Sequence, residues 1–179
     1  MTLTLSETAA TIASGISRAD VVAGIENLIG SNYADKLTGS SGNNVLDGGR
    51  GNDQLLGGDG DDTLIGGQGK DLLTGGAGAD VFKFSALQDL GIVSSARDVI
   101  TDFVRGIDKI DLSMLDANTA TSADNPFDGF IDSTAAFTAA GQLKFSAGVL
   151  YGNTDRDSAA EFAIQLVGVS TLNTTDLIL

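Results

Sequence analysis

The chain has 179 residues, 24 of them glycine and one proline, contains neither cysteine nor histidine, and carries a formal net charge of −14. That charge excludes nucleic acid as a partner, which needs a basic footprint, and the missing His and Cys exclude the usual zinc ligands, the usual general base and thiol chemistry. Hydrophobic residues make up 42 %, so a packed core is expected and wholesale disorder is not.

Residues 1–20 read as a lead-in strand or cap. They contain no basic stretch followed by a long apolar run, so they are not expected to be a secretory signal peptide. No segment of the chain approaches the length of a membrane-spanning helix, and no membrane insertion is expected.

Residues 21–98 are built on a nine-residue repeat. From Gly30 to Lys83 six consecutive units read GSNYADKLT, GSSGNNVLD, GGRGNDQLL, GGDGDDTLI, GGQGKDLLT and GGAGADVFK. The sixth position holds Asp35, Asn44, Asp53, Asp62, Asp71 and Asp80; the eighth holds Leu37, Leu46, Leu55, Leu64, Leu73 and Phe82. Counting back by nine puts Glu26 and Leu28 at the same two positions, and counting forward puts Asp89 and Asp98 at the sixth. Glycine-rich segments turn. The three residues after each acid form a short strand whose central side chain alone points inward. One unit cannot bury that side chain, but stacked units can, which predicts a solenoid.

With two units per coil, unit n lies over unit n+2. The acids then form two columns: Asp35, Asp53, Asp71 and Asp89 on one edge, Glu26, Asn44, Asp62, Asp80 and Asp98 on the other. Stacked carboxylates repel unless a cation neutralises them. A turn by itself needs no acid at one fixed position. Calcium, which takes carboxylate and carbonyl oxygens in flexible geometry, fits better than magnesium or zinc.

Residues 99–179 read as a β-rich cap. Residues 99–112 are expected to form a hairpin or a pair of capping strands. Asp102, Asp108 and Asp111 there are either turn residues or calcium ligands. Residues 113–142 carry little pattern beyond a helical turn near MLDANTA and a loop at Asn125-Pro126. Strands are expected at 143–151, 160–167 and 175–179. Asn153, Asp155, Asp157 and Glu161 have part of the spacing of an EF-hand loop, or form a polar hairpin turn.

The units starting at Gly48, Gly57, Gly66 and Gly75 follow the pattern GGxGxDxUx, which resembles the calcium-binding repeat of RTX proteins. ENLIGSNYAD before them, DVITDFVRGIDKIDLS after them and the tail from Leu150 are similar to the C-terminal domain of serralysin-type secreted proteins. The resemblance implies a right-handed parallel β-roll binding several calcium ions between loops. The ligands it implies are the carboxylates of Asp53, Asp62, Asp71 and Asp80 and the carbonyls of Gly49, Gly51, Gly58, Gly60, Gly67, Gly69, Gly76 and Gly78. Glu26, Asp89 and Asp98 match acids at the irregular ends, while Asn44 stands in place of an acid, and Ser31 and Tyr33 in place of glycines. It further implies a secreted, extracellular bacterial protein that passes through type I secretion machinery, with a catalytic or adhesive domain upstream. The terminal Asp176-Leu177-Ile178-Leu179 resembles the uncleaved signal of such substrates, or is a last docked strand. Two other functions are an alginate-like polysaccharide-binding module of a secreted enzyme, and the C-terminal part of a zinc metalloprotease. No catalytic residue is expected, since the zinc motif H-E-x-x-H needs histidine.

Overall fold

The structure, a computed structural model, describes residues 2–6, 11–12, 20–23, 26–121 and 125–179. Its described strands are β1 (Thr2–Ser6), β2 (Thr11–Ile12), β3 (Asp20–Ala23), β4 (Asn27–Ile29), β5 (Lys36–Thr38), β6 (Val45–Asp47), β7 (Gln54–Asp59), β8 (Thr63–Ile65) and β9 (Leu72–Ala77). They continue with β10 (Val81–Lys83), β11 (Asp98–Ile100), β12 (Lys109–Asp111), β13 (Gly129–Phe130), β14 (Gln142–Ser146), β15 (Val149–Gly152), β16 (Phe162–Leu166) and β17 (Leu177–Ile178). One sheet runs β13-β14-β15-β16-β11-β9-β7-β5-β1-β3, the other β17-β12-β10-β8-β6-β4-β2. The lead-in expected over residues 1–20 lies within the described residues only at β1, β2 and Asp20.

Successive strands of the repeat alternate between the sheets, and pairing within each sheet is parallel at a spacing of eighteen residues. This is a parallel β-roll with two units per coil. Each three-residue strand buries only its middle side chain, as the alternation of strand faces requires. Leu37, Leu55, Leu73, Ile100 and Leu166 stand in register along the first sheet. Leu28, Leu46, Leu64, Phe82, Ile110 and Leu177 do so along the second. These two files are the core of the roll.

The chain departs from its nine-residue count after β10. Residues 84–97 form a longer crossing, anchored by buried Phe84 and Leu90 and containing a 3-10 turn at Leu87–Asp89. The roll then resumes. Ile100 pairs over Leu73 and Ile110 over Phe82, at spacings of 27 and 28 residues. Residues 99–112 are therefore not a hairpin. Strands β11 and β12 lie in opposite sheets as one further coil, and Phe103 between them turns inward against Phe82, ring centroids 6.1 Å apart.

Beyond that coil, the first sheet is extended by an antiparallel meander of β14, β15 and β16, with β16 parallel to β11. The stretch 143–151, expected as one strand, is a hairpin. Ala147 and Gly148 both take positive φ (51° and 77°), as a two-residue turn of primed type requires. Residues 113–121 make turns in which the Asp111 and Asp116 carboxylates accept the amides of Ser113 and Asn118. The second sheet ends with β17, paired to β12.

Because the inward file is one residue wide, Leu64→Ala should lower stability by about 2–5 kcal/mol, whereas the half-exposed Leu56→Ala should cost less than about 1 kcal/mol. Urea unfolding in saturating calcium measures both.

Candidate metal centres

The glycines at the second and fourth positions of each strict unit adopt positive φ, from 89° at Gly49 and 132° at Gly51 to 105° at Gly76 and 142° at Gly78. A residue bearing Cβ is strained there. Space gives a second reason at the first position. A Cβ on Gly48 would lie 2.5 Å from Asp53 Oδ2 and 2.6 Å from the Gly66 carbonyl. The loop is thus folded closely around the acid that ends it.

Each acid reaches to the coil below. The Asp53, Asp71 and Asp98 Oδ1 atoms accept the backbone amides of Asp35, Asp53 and Asp71, at 2.7, 2.8 and 2.8 Å. On the other edge, Asp62, Asp80 and Asp108 accept the amides of Asn44, Asp62 and Asp80, at 2.7, 3.0 and 3.0 Å. The acids therefore stand in two columns, but their membership at the closing end is corrected. Asp98 crowns the column of Asp53 and Asp71, not that of Asp62 and Asp80. The crossing over 84–97 absorbs a half-coil and puts Asp98 where the repeat count placed Asp89. Asp89 lies in the 3-10 turn outside both ladders, although its charge acts on Asp71 and Asp98. Asp108 completes the second column.

The second oxygens are the unusual feature. Oδ2 of Asp53, Asp62, Asp71, Asp80 and Asp98 is buried and has no hydrogen-bond partner. Burial pushes these carboxyls up, to about 7 at Asp53, about 6 at Asp62, Asp71 and Asp80, and about 8 at Asp98. The amide bond to each Oδ1 opposes this, and neighbouring acids add to it. Asp35 goes the other way. Burial opposes its charge, but donors that include the Ser31 hydroxyl and amide outweigh it and hold the carboxyl low. Glu26 is exposed, and its carbonyl accepts the Val45 amide. The eight glycines at second and fourth positions line the loops beside the acids; the Gly49 carbonyl already accepts the Gln68 amide.

Three further features shape the site, and only the first of them was not singled out in the sequence. Asn43, Asn52 and Asp61, at the fifth position, accept the amides of Asp61, Lys70 and Ala79 one coil above, which makes an outer rail antiparallel in sense to the inner one. Asp102 caps the Gly75 and Gly76 amides with its two oxygens. Asp108 belongs to the second column. The signal for the rail was present, since a residue with a side-chain carbonyl or carboxylate recurs at that position.

Outside the roll, Asp155, Asp157 and Glu161 bring ligand atoms within 4.8 Å of one another in the turn between β15 and β16. Each also accepts a local backbone amide, from Asp157, Ala159 and Thr154 respectively. These bonds describe a polar hairpin turn, and the same three carboxylates lie close enough together to meet one cation. Asp111 likewise serves the Ser113 turn and pairs with Lys83 at 3.8 Å.

The family described as Peptidase M10 serralysin C terminal matches residues 7–179. The chain belongs to the serralysin C-terminal family. Among solved structures, the solution structure of the AlgE6R3 subunit of the Azotobacter vinelandii mannuronan C5-epimerase is similar at 29 % identity and a TM-score of 0.57, covering 84 % of this chain and 80 % of that one. The AlgE6R2 subunit of the same enzyme gives 26 %, 0.56, 83 % and 89 %. No curated protein matches by sequence. This serralysin C-terminal domain is thus an RTX-type β-roll module, of a kind that binds calcium and belongs to secreted bacterial proteins. Its loops fit that ion. They offer carboxylate and carbonyl oxygens, among them the five buried Oδ2 atoms without a donor.

A carboxyl whose pKa rises on folding favours the folded state when protonated and opposes it when ionised. Without divalent cation the roll should therefore be most stable near the ordinary carboxylate value of about 4 and lose stability as pH climbs from there through about 6 to 8. Circular dichroism in chelator across that range should show the decline, and saturating calcium should abolish it.

Proposed function

We propose that this chain is a calcium-dependent folding module of a secreted bacterial protein, exported by type I secretion machinery and carrying its cargo, a catalytic or adhesive domain, upstream. The observation that supports it best is the file of buried Oδ2 atoms lacking any protein donor. Calcium, when bound, supplies positive charge and accepts oxygen ligands. Asp53, Asp62, Asp71, Asp80 and Asp98 would hold it through Oδ2, with carbonyls of the glycine loops completing the shell and Asp89 and Glu26 contributing charge at the ends. Several ions would bind.

The direction of the switch follows from the charge. A chain of net charge −14 that must line up carboxylates in a dry loop is poorly stable alone. Any binding to the folded form adds directly to folding free energy. Where calcium is scarce the chain stays open and can be threaded; outside the cell it closes. Extracellular calcium modules bind at about 10⁻⁴–10⁻³ M, which brackets that boundary.

The C-terminus supports the same order of events. Asp176 is buried and accepts bonds from the Gly106 and Asn173 amides and from Arg105, while Leu177 and Ile178 pair with β12. Burial opposes the Asp176 charge, but these donors hold the carboxyl low. A secretion signal at these residues is legible only before the roll closes. A second reading, an anionic-polysaccharide-binding module, is favoured by the likeness to the two epimerase subunits; retention on alginate in saturating calcium tests it.

Calcium titration followed by far-ultraviolet circular dichroism should show a cooperative gain of β-structure, reversed by chelator and not reproduced by magnesium. A spectrum indifferent to calcium contradicts the proposal.

A further inference from the structure

The acid that ends each loop is handled in two ways along the roll. In loop 30–35 the Ser31 amide and hydroxyl both donate to Asp35 Oδ2, at 2.6 and 2.8 Å. In loop 39–44 the Ser40 amide and hydroxyl donate to Asn44 Oδ1, at 2.6 and 3.3 Å. Each serine hydroxyl also accepts the amide two residues on, from Tyr33 and Gly42. At the other end of the roll the Val104 amide donates to Asp108 Oδ2 at 2.7 Å. In all three loops the donor is the residue four positions before the acceptor.

In the strict loops that same position is Gly49, Gly58, Gly67 or Gly76, each at positive φ. Reversing the sign of φ rotates the peptide, and the amide no longer faces the acid. There Oδ2 is left without a protein donor. Asn44 and Asp35 are held alike, so a closed loop needs an acceptor and not a charge. Asp98 stays with the open class although Ser94 stands four residues before it. Its loop is the long crossing, in which the Ser94 carbonyl accepts the Lys70 ammonium and Asp98 Oδ2 keeps no donor.

We propose that the residue four positions before the acid decides whether a loop is completed by calcium or by the chain itself. The loops ending at Asp35, Asn44 and Asp108 are then calcium-free rungs, which bracket a calcium-dependent stretch from Asp53 to Asp98. This revises the expectation that Asp35 and Asn44 are ligands, and it rests on the calcium reading above. In a stacked array whose units contact only their neighbours, such rungs form a seed on which the calcium-dependent loops can grow.

The test is the number of calcium ions bound per chain at saturation, counted by equilibrium dialysis on the full chain. Asp35→Asn should leave the count and the half-saturation point unchanged, because Asn accepts the Ser31 donors as Asn44 accepts those of Ser40. Asp71→Asn should lose at least one ion; Asp62→Asn and Asp80→Asn serve the same purpose, so the comparison does not depend on one variant folding. The double variant Ser31→Gly/Tyr33→Gly, which restores both glycines of the loop, should gain an ion. An ion lost in Asp35→Asn overturns the inference while leaving calcium binding at the strict loops intact. No gain in the double variant overturns the role given to the fourth-preceding residue. An unchanged count in all three Asp→Asn variants of the strict loops overturns the calcium reading itself, and this inference with it.

Discussion

In each strict loop, the acid's Oδ1 atom accepts the amide of the sixth-position residue one coil below, while Oδ2 lies buried in its own loop. The first oxygen stitches coils together. The second cannot reach water and meets no protein donor. A buried acceptor without a partner costs free energy, and more when it carries charge. The chain has placed this arrangement four times over in tandem, at Asp53, Asp62, Asp71 and Asp80, so the cost recurs with every half-coil. The fold is therefore incomplete as a chain of protein atoms alone, and an oxygen-seeking cation is the natural complement.

In the function proposed, that incompleteness makes the roll a switch and not merely a scaffold. Its hydrophobic core is a double file of single side chains, Leu28 to Leu177 on one sheet and Leu37 to Leu166 on the other. A core this thin leaves little surplus stability to absorb uncompensated carboxylates. On that proposal, stability would track whatever neutralises the columns: protons at low pH, calcium above it. The C-terminal meander contributes differently. Phe127 and Phe162 pack edge to face at 5.7 Å, and β16 covers the open edge of β11, so the array ends against an ordinary packed body and not against solvent.

Most of the roll could be read from the sequence because a repeat constrains itself. Once Leu64 is inward, Leu46 and Phe82 must be, and the acids two residues before them must share an edge. Counting failed where the chain stopped repeating. Between Phe82 and Ile100 the spacing is eighteen residues instead of nine, because Phe84 and Leu90 anchor a crossing with no glycine pattern to announce it. Asp98 therefore changes edges and Asp89 drops out of the ladder. The fifth-position rail was visible as Asn43, Asn52 and Asp61 but had no assigned task, since its meaning depends on an amide one coil away. The hairpin at Ala147-Gly148 was hidden because alanine rarely takes positive φ.

The most direct measurement is a crystal structure of the chain grown in calcium, with the ions located by anomalous scattering. The loops should hold cations within about 2.3–2.6 Å of Oδ2 of Asp53, Asp62, Asp71 and Asp80. Cations bound only elsewhere, with these oxygens turned to water or to protein donors, would contradict the view that calcium completes the loops.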